Sequence, residues 1–395
     1  MSSNRLTRRD VLKAAGLSAL NLCTPGPLRK VLKPPVADRE LPLYVGTYTS
    51  PGKSKGVYEC RLNMGTGELK PAGITGGVAD PSFVTIDRHG KHLYAVNELS
   101  EYGGKPGGAV SAFAIDRGTL DLTLINQQPS LGGAPCHIAL DGTGKFALVA
   151  NYAGGSIAVL PVKEDGSLGA PTDLVQHHGS SVNPKRQEGP HAHCVAFDRA
   201  NRFVLAADLG LDKIMVYRLD LNSGKLTPND QPWVQVKPGS GPRHIAFHPR
   251  RDYVYVINEM GSTVTAFNYD GEHGTLRELQ TVSTLPKSFS GQNTAAEIQV
   301  SPSGKLLYGS NRGHDSIVTF AIDSGSGQLS YVDNTPTGGS TPRNFAIDSS
   351  GKYLLVANQD SDNIVVFGLD PASGVVMETD HVLDTPSPVC LTFLP

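Results

Sequence analysis

Pro242-Arg243-His244-Ile245-Ala246-Phe247-His248-Pro249-Arg250-Arg251-Asp252-Tyr253-Val254-Tyr255-Val256-Ile257-Asn258 reads as two short apolar strands joined by a turn and closed by an asparagine. A third apolar strand follows over 263–269, then a turn at 271–274 and a fourth strand over 276–282. The opening phrase recurs over 81–97, 135–151 and 342–358, and looser copies end at Asp208 and Asn311. Its polar terminal residues are Thr47, Asn97, Asn151, Asp208, Asn258, Asn311 and Asn358, spaced 47 to 57 residues apart. Strands of four to eight residues repeated at such a period build a radial β-array, because each unit must bury its faces against its neighbours.

The expected fold is all-β: a seven-bladed β-propeller of four-stranded blades spanning residues 41–395. The phase of the ends supports this. Leu43-Tyr44-Val45-Gly46-Thr47 matches a second strand, and Pro388 to Phe393 matches a first strand. Pairing the C-terminal strand with the N-terminal blade would close the ring and remove the free edge. A single Trp and no recurrent Trp-Asp pair speak against a WD40 repeat.

Residues 1–40 read separately, as an export signal and linker. Thr7-Arg8-Arg9-Asp10-Val11-Leu12-Lys13 precedes a short apolar run, Ala14 to Cys23, which resembles a twin-arginine (Tat) signal. The run is too short to span a bilayer. A periplasmic or exported location is expected, with a cytoplasmic one as the alternative and Cys23 as a conceivable anchor. The formal net charge of −2 gives no electrostatic footprint for nucleic acid. Beyond Cys23, the thiols of Cys60, Cys136, Cys194 and Cys390 are expected to be free and buried, each in a different blade.

Register predicts a site. The first strand of each blade lines the central channel, and its first position holds Ser82, Cys136, His193, Arg243, Ala296, Arg343 and Val389. The next position holds Phe83, His137, Cys194, His244, Glu297, Asn344 and Cys390. The residues after each terminal Asn belong to the same rim: Tyr48, Glu98, Tyr152, Leu209, Glu259, Arg312 and Gln359. Counting about the turns makes Arg243–Glu259 and Glu297–Arg312 direct cross-strand pairs. Ionised groups gathered in a concave mouth are costly unless paired or used. Arginine suits capture of carboxylate or phosphate, and Glu or His can move protons. His191 and His193 share one side of an extended segment, but no third zinc ligand stands beside them, so no metal and no cofactor is expected. His177 and His178, ahead of Asn183-Pro184-Lys185-Arg186, read as part of a solvated loop.

The chain resembles the propeller-type lactonase family, which contains bacterial 6-phosphogluconolactonases and fungal carboxy-cis,cis-muconate cyclases. The phrases that carry the resemblance are Leu43 to Thr49, Gly189-Pro190-His191-Ala192-His193, Ala207 to Asp212, Gly241 to Pro249 with Asn258-Glu259, and Ser310 to Ile317. The resemblance implies a metal-free site whose catalytic group maps onto His191 or His193, Arg243, Glu259 and Arg312. His137, His244, Glu297, Arg343 and Asn344 would complete substrate binding. The implied activity is hydrolysis of an anionic lactone of a sugar acid, with Glu259 or a His activating water. A lactone-forming cycloisomerase and a non-enzymatic ligand-binding propeller are the alternatives.

Overall fold

In the computed structural model, seven four-stranded antiparallel sheets stand around a channel, and the structure describes residues 39–50, 52–370 and 373–395. Blade I joins Glu40–Thr47, Val57–Asn63 and Leu69–Thr75 to the C-terminal strand Pro388–Phe393. Blade II is built from Phe83–Ile86, His92–Asn97, Ala109–Ile115 and Leu122–Pro129, and blade III from Pro135–Leu140, Phe146–Asn151, Ser156–Pro161 and Asp173–Gln176. Blade IV comprises Ala192–Phe197, Val204–Asp208, Lys213–Asp220 and Lys225–Gln235. Blade V holds Pro242–Phe247, Tyr253–Asn258, Thr263–Asp270 and Thr275–Ser283; blade VI holds Thr294–Val300, Leu306–Arg312, Ser316–Ile322 and Leu329–Pro336. Blade VII is formed by Pro342–Ile347, Tyr353–Asn358, Asn363–Leu369 and Val376–Asp384. Each blade's first strand touches the first strand of the next, and the ring closes through the antiparallel pairing of Pro388–Phe393 with Glu40–Thr47. The predicted architecture and closure are both present. The export-signal stretch lies outside the described residues.

The core is divided into seven layers, each between two adjacent blades. Second strands such as Phe146–Asn151 and Tyr353–Asn358 are buried along their whole length, because both faces meet a neighbouring blade. Fourth strands are mostly half-buried or exposed, as strands at the outer edge of a sheet are. Tyrosines of second strands clasp the next blade: Tyr94, Tyr255 and Tyr308 donate their hydroxyls to the carbonyls of Gly166, Gly327 and Gly374 at 3.0, 3.1 and 3.0 Å. A buried phenol needs such an acceptor.

The repeated terminal asparagine has a structural task. The side-chain amides of Asn97, Asn151, Asn311 and Asn358 donate to carbonyls of the connection entering the same blade: Ala79, Ser130, Thr284 and Thr337. A second recurrent device sits opposite. The ladder shifts by one residue between Pro135 and His137, Ala192 and Cys194, Pro242 and His244, and Pro342 and Asn344. Each shift is a β-bulge, and the extra residues are Cys136, His193, Arg243 and Arg343. A bulge re-aims the side chain it carries, so the channel-lining position is the one freed from the ladder.

Among the described residues, all four thiols are free and buried. Cys60 and Cys390, however, share blade I, since the C-terminal strand completes the sheet that contains Val57–Asn63.

Candidate active site

The rim where first strands begin and second strands end holds two acid-centred clusters. In the first, Glu259 receives three guanidinium groups. Arg312 Nη2 lies 2.9 Å and Arg243 Nε 3.2 Å from Oε2, while Arg186 Nη2 lies 2.6 Å from Oε1. Arg243 also donates to the Ala296 carbonyl at 2.8 Å, and Arg312 to the Ala295 carbonyl at 3.1 Å. The Nε groups of both arginines are buried without an aligned hydrogen bond. In the second cluster, Glu98 Oε2 accepts from Ser82 at 2.6 Å and from Tyr48 at 2.8 Å, and Arg343 donates to the Tyr48 hydroxyl at 2.8 Å. Four guanidinium groups thus face two carboxylates.

The Arg243–Glu259 contact arises as expected, but for a different reason. Glu259 stands opposite Gly241, to whose carbonyl its N–H donates at 2.7 Å. Arg243 is the bulge residue, and its long side chain reaches back. The expected Glu297–Arg312 pair is not formed. In blade VI the register shifts between Ala295 and Ile298, and Arg312 stands opposite Thr294. Arg312 instead crosses to Glu259 of blade V.

Glu297 turns into a deeper layer. Its Oε2 accepts from Asn344 Nδ2 at 2.6 Å and from His244 Nδ1 at 3.0 Å, and Oε1 accepts from the Ile298 N–H at 3.1 Å. Rings cross the channel at this level: Phe83 packs on His137 at 4.3 Å, His137 on His244 at 5.2 Å, and His244 on His193 at 5.3 Å between centroids. Beyond them a cavity of about 860 Å³ opens toward the turns around Asp87 and Asp141, and its lining includes His137, Glu297 and Asn344. His137 and Glu297 therefore belong to the channel interior, whereas Asn344 also lines a small pocket beside Arg243, Arg343 and Glu98 and so bridges the two levels.

Burial and charge separate the two glutamates. Desolvation pushes each carboxyl up. For Glu259 the field of Arg312 and Arg243, with the hydrogen bond from Arg186, overrides it and holds the group down at about 2. For Glu297 desolvation wins and raises it to about 7. Burial, helped by neighbouring positive charge, keeps His193 and His244 well below the ordinary imidazole value, and burial does the same to His137, so these rings are neutral. Burial lowers Arg312 to about 10, which still leaves it charged near neutral pH.

Tyr152 organises the histidines. His191 stacks on its ring at 4.6 Å and His193 meets it edge-on at 5.5 Å. His191 Nδ1 donates to the Tyr152 carbonyl at 3.0 Å, which fixes the tautomer and leaves Nε2 toward Glu188 Oε1 at 3.4 Å. His193 is buried beside Cys136, whose Sγ is 3.7 Å from Nδ1.

Two residues escaped the sequence reading. Arg186 sits on a connection with no repeat counterpart. His177 is buried rather than solvated: its Nδ1 donates to Asp208 Oδ2 at 2.6 Å, and Tyr217 donates to its Nε2 at 3.0 Å. The other oxygen of Asp208 accepts the His191 N–H at 2.8 Å. Asp208 stands where five other blades carry asparagine and blade I carries Thr47, and that charged departure was a signal that a partner must exist. Among the described residues, no group of three or more His, Cys, Asp or Glu is placed to hold a metal ion.

Seven four-stranded blades closed into a ring make the chain a β-propeller, and guanidinium groups around a buried carboxylate give its rim a charged site. A family model described as "Lactonase, 7-bladed beta-propeller" matches residues 42–393, and the chain belongs to that family. It is 37% identical to the 6-phosphogluconolactonase of Bacillus subtilis (strain 168) over 297 residues, which is 75% of this chain and 82% of the relative. Identity to the 6-phosphogluconolactonase of Formosa agariphila is 36% over 302 residues, 75% of this chain and 83% of that protein. Among solved structures, the Pseudomonas aeruginosa periplasmic gluconolactonase, PpgL, superposes with a TM-score of 0.85 at 36% identity, covering 90% of this chain and 99% of its own.

Proposed function

We propose that the protein hydrolyses the ring ester of a sugar-acid lactone at the arginine rim. The observation that carries this reading is the convergence of Arg186, Arg243 and Arg312 on the single carboxylate of Glu259. One carboxylate cannot neutralise three guanidinium groups, so the site retains positive charge for an anion or for negative charge developing on the lactone carbonyl oxygen. Membership in the lactonase family and the relatives named 6-phosphogluconolactonase and gluconolactonase support the same chemistry.

In this reaction water adds to the lactone carbonyl carbon, and the carbonyl oxygen takes the negative charge beside Arg243 and Arg312. The tetrahedral adduct then collapses, the bond from the carbonyl carbon to the ring oxygen breaks, and the ring oxygen receives a proton. Glu259, held at about 2, is a poor base at neutral pH. Its task is to fix the arginines. The proton shuttle falls to His191, whose Nδ1–H is committed to the Tyr152 carbonyl and whose Nε2 can take a proton from water and return it to the ring oxygen. His193 packs behind it as a neutral, buried wall. His191→Ala should lower kcat by about a hundredfold or more, with His193→Ala costing less, in an assay corrected for spontaneous ring opening. Equal losses in the two variants would remove this assignment.

The stretch Thr7 to Lys13 supports export, and a related structure is that of a periplasmic enzyme. We read residues 1–40 as signal and linker, and residues 41–395 as a domain working outside the cytoplasm on an unphosphorylated lactone. Cell fractionation of the chain and of its Arg8→Lys, Arg9→Lys variant tests this. Periplasmic recovery should be lost in the variant, and recovery of the unaltered chain in the cytoplasm alone would refute export.

A further inference from the structure

Three guanidinium groups meet Glu259, but they are not equivalent. Arg243 and Arg312 rise from the propeller frame, share Oε2, and have side chains only 3% and 12% exposed. Arg186 comes from the connection between blades III and IV, takes Oε1 alone, and is 40% exposed. If Arg186 withdrew, Glu259 would keep two charged partners, so exchange of this one contact is cheap beside breaking either of the others.

The connection that carries Arg186 is built to hold it in place. The Asn183 carbonyl accepts the Gln187 N–H at 2.8 Å, and Asn183 Oδ1 accepts the N–H groups of Lys185 and Arg186 at 3.0 and 3.2 Å. Gln187, fully buried, anchors the turn to the Leu209 carbonyl at 2.9 Å, and its Oε1 accepts the Asn183 N–H at 3.1 Å. Ser181 ties the start of the turn to Asp212 at 2.6 Å. A rigid turn thus aims one half-exposed guanidinium over the rim, where it also donates to the Tyr152 hydroxyl at 3.2 Å. Tyr152 is the residue on which His191 stacks, so Arg186 borders the place where the lactone carbonyl must sit.

We propose that Arg186 is a specificity residue that reads a second acidic group on the substrate, a carboxylate or phosphate ester outside the lactone ring, by leaving Glu259 Oε1 and taking that group bidentately. This rests on the lactonase reading above and adds to it the residue that would recognise an anion outside the ring. A planar guanidinium fork matches carboxylate and phosphate oxygens, which a lone ammonium does not. For an exported enzyme the carboxylate form, a monolactone of a sugar diacid, is the expected one.

The test compares kcat/KM for three lactones: neutral gluconolactone, a glucaric acid monolactone, and 6-phosphogluconolactone. Each is corrected for spontaneous opening, with the unaltered protein and with Arg186→Met, Arg186→Lys and Lys185→Met. The readout is the ratio of each anionic lactone to the neutral one, which cancels any common loss of folded protein. Arg186→Met should lower that ratio about tenfold or more, chiefly through KM. Arg186→Lys should recover part of it. Lys185→Met, which removes the exposed charge of the preceding residue, should stay within about twofold, because diffuse surface charge acts weakly. The carboxylate and phosphate arms show which source of the anion the site prefers. An unchanged ratio in Arg186→Met, or an equal fall in Lys185→Met, overturns the proposal while lactone turnover itself stands. No turnover of any of the three by the unaltered protein overturns the lactonase reading and this inference with it.

Discussion

The first hairpins of blades V and VI carry the same two residue types in opposite order, Arg243 and Glu259 in one, Glu297 and Arg312 in the other. One extra residue in blade V lets Arg243 fold back onto Glu259. In blade VI the two residues between Ala295 and Ile298 displace Glu297 downward, where His244 and Asn344 take it, and Arg312 is released to the neighbouring blade. The result is one carboxylate saturated with positive charge and one desolvated among neutral rings. Bulges, more than residue identity, decide which acid is an ionised anchor and which is poised to hold a proton.

Removing the anchor is the most damaging way to break this contrast. Glu259→Gln strands buried guanidinium groups without a counter-charge. It should cost about 3–5 kcal/mol of stability and about a hundredfold or more in kcat/KM, read by denaturant unfolding and lactone kinetics. A stability within 1 kcal/mol of the unaltered protein would show the ion pairs to be dispensable.

The two acids should also give opposite pH slopes. Glu259 is depressed to about 2 in the folded protein, so its stabilisation is complete above the ordinary carboxylate value and fades as pH falls toward 2. Glu297 is raised to about 7. Between the ordinary value and 7 the folded state holds a proton that the unfolded state has lost, so stability from this group falls as pH rises across that window. Glu297→Gln, which cannot ionise, should therefore gain on the unaltered protein from pH 4 to pH 8, by up to about 3 kcal/mol. A flat difference across that range would mean that Glu297 is not desolvated.

A smaller effect is expected in blade IV. Asp208→Asn keeps the shape but loses the charged acceptor for His177, and should cost about 1–2 kcal/mol. It should also lower kcat more than it raises KM, because losing the His177 bond at Oδ2 loosens the group whose other oxygen holds the His191 N–H. An equal change in KM would make the pair merely structural.

Much of the molecule was readable before the structure. Blade number, strand phase and ring closure follow from a period that the apolar strands and terminal asparagines repeat with little drift. The rim positions follow too, since Arg243, Arg343, His193 and Cys136 all sit at the residue that the bulge frees. Pairing did not follow. Symmetric counting about a turn assumes an unbroken ladder, and a bulge shifts every count beyond it, which is why Glu297 and Arg312 were matched wrongly. Arg186 was invisible to repeat logic because it lies outside the repeat, although a connection as long as 177–191 beside 130–134 or 337–341 was itself a pointer. His177 was misread because burial of a loop histidine depends on a distant strand end, where Asp208 stood in place of asparagine.

The decisive test of the arginine rim is steady-state hydrolysis of gluconolactone and its acidic analogues by the unaltered protein and by Arg243→Ala, with folding of both checked by thermal unfolding. Clear turnover by the unaltered protein, falling about a hundredfold or more in a variant that still folds, is the predicted result. Undiminished turnover by Arg243→Ala, or none above spontaneous opening by the unaltered protein, would contradict it.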